Sequence, residues 1–233
     1  MSFSSIITST TMILVIFLAG SCTNNQDLTI FAASSLTDVM PTLTKAHRES
    51  ETNESTLVVG GSNHLAAQLR DGAPADVFVT ANFSLLSDLN FLNEPVSIAK
   101  NHLVVAVPIN NPGNLKSFDD LYRSELKLAI CSEVVPCGDA TIRRFGYLPA
   151  DTREPSVRAV LSRLTLDEVD VGIVYATDVI AEKKVSALGH QPPVCPCVTY
   201  TAVAFTDRGS NFVDFLTDLT ALNIFLDHGF RLP

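Results

Sequence analysis

LTIFAASSLTDVM, residues 28–40, is the stretch from which the rest of the chain is read. Leu28 to Phe31 is a short apolar run rich in β-formers and predicts a buried strand. Ala32-Ala33-Ser34-Ser35 follows, small residues that let the backbone turn sharply. Leu36, Val39, Met40 and Leu43 then recur at helical spacing, with Asp38 in the first turn, and predict a helix over 36–43. A strand that passes through serines into a helix aims free N–H groups and hydroxyls at one point. The helix dipole makes that point favourable for an anion. The plainer reading of Ser34 or Ser35 is a helix N-cap.

The pattern recurs. Ser55 to Gly61 (STLVVGG) reads as a strand ending in two glycines, and Ser62-Asn63-His64 opens a helix stopped by Gly72. Two strand–serine–helix junctions can converge on one small ligand at the carboxyl ends of an open α/β sheet. A binding cleft is therefore expected.

Working outward, 233 residues allow one large domain or two modest lobes, each with a core. Apolar residues make up 46% and charged residues 18%, which fits a folded chain. The net charge of −9 argues against nucleic-acid binding through a basic face, and an anionic ligand would have to be attracted by local donors. No charged side chain precedes Asp27, and Met12 to Ala19 (MILVIFLA) is too short to span a bilayer alone. It leads into Leu18-Ala19-Gly20-Ser21-Cys22, which is similar to the lipobox of bacterial lipoproteins. Residues 1–21 then read as a lipoprotein signal peptide, Cys22 as the lipidated residue and 22–27 as a tether. An uncleaved anchor helix is the alternative, and either one places the folded part outside the cell membrane. The remaining Cys131, Cys137, Cys195 and Cys197 suggest disulfides in an exported chain, with three possible pairings. A metal site at His190, Cys195 and Cys197 lacks a fourth ligand at recognisable spacing.

Further along, Val77–Thr80, Leu103–Val107, Leu126–Ile130, Val171–Tyr175, Val185–Leu188 and Thr199–Phe205 read as strands. Asn82 and Ser117 can cap short helices. Asn93–Lys100 reads as a polar connection, and Cys131–Gly138 as a loop before a helix beginning at Asp139. A helix starts near Pro155, with Val157, Val160, Leu161 and Leu164 on its apolar face. A last helix runs from Ser210 with Phe212, Phe215, Leu216, Leu219 and Leu222 buried, and ends at Gly229. The turn Asn110-Asn111-Pro112-Gly113 is taken as the crossing between lobes. The alternation of strands and helices is α/β. The expected division is 28–107 with 200–233 as lobe 1 and 108–199 as lobe 2.

In chain order, the stretches FAASSLTDV at 31–39, GGSNHLAAQLRDGAPADVFVTA at 60–81, VPCGDA at 135–140, SVRAVL at 156–161, VGIVYATD at 171–178 and FLDHGF at 225–230 resemble the molybdate-binding proteins that serve ABC importers, in their actinobacterial branch. That resemblance implies a two-lobed type II periplasmic-binding-protein fold with the ligand between lobes. It implies capture of molybdate, with tungstate beside it, by a non-enzymatic monomer that needs no cofactor and meets permease subunits at the membrane. Its ligand contacts fall on Ser35, Ser62, Cys137, Val157 and Tyr175. The serines would offer hydroxyl and N–H, Cys137 and Val157 backbone N–H, and Tyr175 its phenol. A Cys131–Cys137 disulfide would close the loop that carries the amide of Cys137.

The donor chemistry is consistent with that expectation. These positions include no carboxylate and no cation, and neutral dipoles can hold a doubly charged oxyanion in a dry site. Part-protonated phosphate would reward an acceptor, and a ferric ion would need several tyrosine or carboxylate ligands. Sulfate or thiosulfate remains a rival ligand, since donor types do not separate tetrahedral dianions. An exported serine hydrolase using Ser62, with His64 or another histidine as base, is the rival from another class, but Gly60-Gly61-Ser62-Asn63-His64 is not a G-x-S-x-G elbow.

Overall fold

The computed structural model describes residues 27–50, 54–189 and 197–233. The expectations for residues 1–26, including Cys22, and for His190 and Cys195 lie outside these, as does the side chain of Cys197. Among the described residues no helix is long and apolar enough to cross a membrane, and no cluster of His, Cys, Asp or Glu could hold a metal ion.

The first lobe opens with β1 (Leu28–Ala33), a 3-10 turn at Ser34–Leu36, α1 (Met40–Ser50), β2 (Ser55–Gly60), α2 (Ser62–Arg70) and β3 (Val77–Thr80). β1 lies between β2 and β3, parallel to both. β1 and β3 are almost wholly buried, as expected for parallel strands covered on both faces, which is why they read as apolar runs. The helix expected over 36–43 begins only at Met40. Pro41 explains the shift, since a helix running from Leu36 would push the proline ring against the carbonyl four residues back, whereas proline in a first turn is tolerated. Leu36, Val39, Met40 and Leu43 are all buried nonetheless, so the spacing holds across the 3-10 junction. Gly72, at φ +89°, ends α2 as read.

β4 (Val96–Pro108) runs from one group of strands to the other and ends ahead of the Asn110–Gly113 turn. Its first part pairs antiparallel with β9 (Cys197–Ala204), and from Leu103 it pairs with β7 (Val171–Tyr175) and then β8 (Val185–Ala187). A bulge between Ser97 and Ala99 breaks the two-residue period, which made the start of this strand look like a polar connection. Asn101, fully buried just before the changeover, donates to Thr177 Oγ1 at 2.8 Å.

In the second lobe, β5 (Leu128–Cys131) lies between β7 and β6 (Thr152–Glu154), parallel to both. α3 (Pro136–Phe145) and α4 (Val157–Thr165) pack on β5, and α5 (Ala176–Ala181) follows β7 directly. The sheet order is β2-β1-β3-β9-β4-β7-β5-β6. α3 starts at Pro136, three residues ahead of the expected Asp139, because proline at a first helical position loses no hydrogen bond. The last helix is two: α6 (Asp207–Phe215), capped by Thr206, and α7 (Leu219–Asp227), with Asp218 as N-cap. Leu219, expected in the core, is 79% exposed as a result.

Asp76 explains the GAPADVF stretch in structural terms. Its buried carboxylate accepts from the Thr29 amide at 2.7 Å, the Thr206 hydroxyl at 2.7 Å and Arg208 Nε at 2.8 Å. It thereby ties β1 to the start of α6.

Candidate functional site

The carboxyl ends of the strands meet at a small cavity. Ser35 reaches it from the turn after β1, Ser62 from the first position of α2, Cys137 from the first turn of α3, Val157 from the first position of α4 and Tyr175 from the end of β7. All five expected positions therefore line one space, drawn from both lobes. Ser34, Gly61, Ala81 and Ser156 line it as well, and none of its residues is charged. About 10 Å³ is open to the centre of a water-sized sphere, space for about one such sphere. Pockets for organic ligands run to roughly 300–1,000 Å³, so the occupant is a compact group.

Helix geometry accounts for the donors. Cys137 and Val157 sit in the first turns of α3 and α4 and Ser62 at the start of α2, where an amide has no carbonyl one turn back to bond. Neither Ser34 nor Ser35 acts as the expected cap, since the N-cap is Ala33 and no side-chain cap bond forms. The hydroxyl oxygens of Ser35 and Ser62 already receive a hydrogen bond from the protein. Tyr200 O–H donates to Ser35 Oγ at 2.8 Å, and the Ala81 amide donates to Ser62 Oγ at 3.2 Å. Each serine's own proton is left to point at a guest. Ser62 is thus engaged by Ala81, while His64 is exposed, which gives no support to a Ser62–His64 dyad.

Tyr175 is 1% exposed, and its hydroxyl is a buried polar atom with no hydrogen-bond partner among the described residues. A buried unpaired hydroxyl costs stability unless a ligand satisfies it. Burial holds its pKa well above the ordinary phenol value, so it remains a donor. Tyr200, also buried, is shifted the same way.

The Cys131–Cys137 disulfide is present, closing the loop that leads into α3. The loop packs so closely that a Cβ on Gly138 would lie 1.9 Å from the Ser132 carbonyl oxygen.

The walls also touch around the cavity. A Cβ on Gly61 would lie 2.9 Å from the Pro155 carbonyl oxygen of the opposite lobe. Asn63 Nδ2 donates to the Val134 carbonyl. Arg158 Nη1 meets Asp38 Oδ2 at 2.7 Å and Asp178 Oδ1 at 3.3 Å. Asp38 lies 120 positions from Arg158, and no local pattern in the sequence signals their pairing. Asp178, in the first turn of α5, accepts the Tyr175 amide at 3.0 Å. Burial lifts its pKa from 3.8 to about 6, against the Tyr175 amide and Arg158, which favour the carboxylate.

The chain has clear relatives. The molybdate-binding protein ModA of Mycobacterium tuberculosis is 28% identical over 230 residues, covering 92% of this chain and 88% of that protein. The ABC transporter substrate-binding lipoprotein YvgL of Bacillus subtilis is 28% identical over 243 residues, covering 91% of this chain and 93% of its own. Among solved structures, the periplasmic molybdate-binding protein of Azotobacter vinelandii superposes with a TM-score of 0.75 at 19% identity, over 89% of this chain and all of that one, which establishes the periplasmic-binding-protein fold. The model of the family described as bacterial extracellular solute-binding protein matches residues 28–231, and to that family the chain belongs.

Proposed function

We propose that this protein captures molybdate, and tungstate with it, outside the cell and hands the anion to the permease of an ABC importer. Membership of a solute-binding family makes it a binding protein and not an enzyme. The observation that carries the choice of ligand is the orphaned Tyr175 hydroxyl. It faces a charge-free cavity in which two serine oxygens have already used acceptor capacity on the protein. Such a cavity presents several donors and no carboxylate acceptor, which suits a fully ionised tetrahedral oxyanion. The molybdate-binding names of the mycobacterial and Azotobacter relatives support the same ligand.

Titration calorimetry with molybdate, tungstate, sulfate, thiosulfate and phosphate tests this directly. Heat is expected with the first two and none with phosphate. Binding of sulfate without molybdate would overturn the assignment. In the same series Tyr175→Phe, which keeps the ring and removes the donor, is expected to cost roughly 1–3 kcal/mol of binding. Ser35→Ala should also leave the Tyr200 hydroxyl without its acceptor, so its loss combines binding and stability.

The Leu18–Cys22 run supports export and lipid anchoring through Cys22, and the lipoprotein relative YvgL supports it further. Mass spectrometry of the membrane-extracted protein should find a mature chain beginning at lipid-modified Cys22. A chain that retains residues 1–21 would show an uncleaved anchor instead.

A further inference from the structure

We propose that Arg158 is the latch of the closed cleft, fixed to its own lobe by Asp178 and holding the opposite wall through Asp38. The inference rests on reading the cavity as an anion site between two lobes.

Position is the first argument. Arg158 directly follows Val157, which lines the cavity from the second lobe, and Asp38 stands three residues after Ser35, which lines it from the first. The pair therefore spans the cleft immediately beside the guest. Asp178 accepts the amide of Tyr175, a third cavity residue. One guanidinium thus connects the segments that carry Ser35, Val157 and Tyr175.

The two ends differ in burial, which is what a latch needs. Asp178 is 1% exposed, whereas the Asp38 side chain is 40% exposed. The inner contact keeps Arg158 aimed, and the outer one can be made and broken as the lobes move. An exposed ion pair ordinarily contributes little, because two long side chains must be ordered to form it. Here Asp178 has already ordered the arginine. Both contacts are made by one nitrogen, Nη1, so a single donor group joins the two carboxylates.

The expected consequence lies in release. The Arg158–Asp38 contact exists only with the walls together, so it slows opening without touching the ligand. Stopped-flow displacement of bound molybdate should give release roughly three- to tenfold faster for Asp38→Asn and for Arg158→Gln, and an intermediate rate for Arg158→Lys. The double variant Asp38→Asn/Arg158→Gln should release no faster than Arg158→Gln alone, a non-additivity that two unrelated defects would not give. Small-angle X-ray scattering of the ligand-free proteins supplies a readout independent of the guest, with a larger radius of gyration expected for both single variants. Wild-type release rates, or fully multiplicative effects in the double variant, would overturn the latch. If the wild type binds no oxyanion, the functional reading fails, and scattering curves that match the wild type would then sink the latch as well.

Discussion

Gly138→Ala is expected to destabilise the protein by about 3 kcal/mol or more and to weaken oxyanion binding at least tenfold. The sign is opposite to the usual rule. Inside a helix alanine is ordinarily favoured over glycine by about 1 kcal/mol, and Gly138 lies in the first turns of α3. The added methyl, however, meets the Ser132 carbonyl oxygen at 1.9 Å, its carbon at 2.5 Å and the Cys131 carbonyl oxygen at 2.8 Å. All three are backbone atoms, so no rotamer change relieves the clash. The Cys131–Cys137 bond holds both ends of that loop and closes off the easy way out. Relief must come from displacing the start of α3, and the amide of Cys137 moves with it. Denaturant unfolding and calorimetry on the same preparation check both halves. A variant within about 0.5 kcal/mol of the wild type, binding normally, would show that the loop is far more yielding than its packing indicates.

Asp178→Asn is expected to make the ligand-free protein more stable near pH 7.5 and to change the pH dependence of its stability. Burial raises the folded pKa of Asp178 from 3.8 to about 6. The folded state therefore binds more protons than the unfolded chain between those values. The contribution of this group to stability is full below about 3.8 and is lost as pH rises through about 6. A shift of about two units corresponds to roughly 3 kcal/mol withdrawn by neutral pH. Asparagine can still accept the Tyr175 amide and carries no charge to bury, so that loss should vanish. Thermal melts between pH 4.5 and 8 should show the wild type losing several degrees relative to the variant across pH 5–7. Parallel curves would mean that the carboxylate is better solvated than its 1% exposure suggests. The wild type accepts this cost to keep a charged partner for Arg158.

How much of this could be read from sequence depends on the distance over which each feature is encoded. β3 and β7 appeared at their exact limits, because strands buried on both faces are written as unbroken apolar runs. Ser35 and Ser62 were visible as candidates from the strand–serine–helix junctions alone. Cys137 and Val157 came only through resemblance, since a backbone amide leaves no trace in the identity of its side chain. The early start of α3 and the late start of α1 were both marked by prolines, Pro136 and Pro41, whose positional meaning outweighs the apolar spacing around them. Only the first part of β4 stayed hidden, because the bulge at Ser97–Ala99 disrupts the period, whereas Leu103–Val107 read as a strand. The pairings Tyr200–Ser35, 165 positions apart, and Arg158–Asp38, 120 apart, are products of the topology, and no local pattern announces them.

The contact between Gly61 and Pro155 bears on discrimination by size. There the walls approach main chain to main chain, with no side chain on Gly61 to yield or swing aside. Such a meeting acts as a caliper: the lobes stop at a spacing set by the backbone, whatever lies between them. An anion smaller than that spacing is held slackly, and one larger props the jaws apart and strains the outer contacts. On the function proposed above, ranking among tetrahedral dianions would be set by where these two main chains halt, while the hydroxyls and amides, common to all such guests, would supply grip without choice.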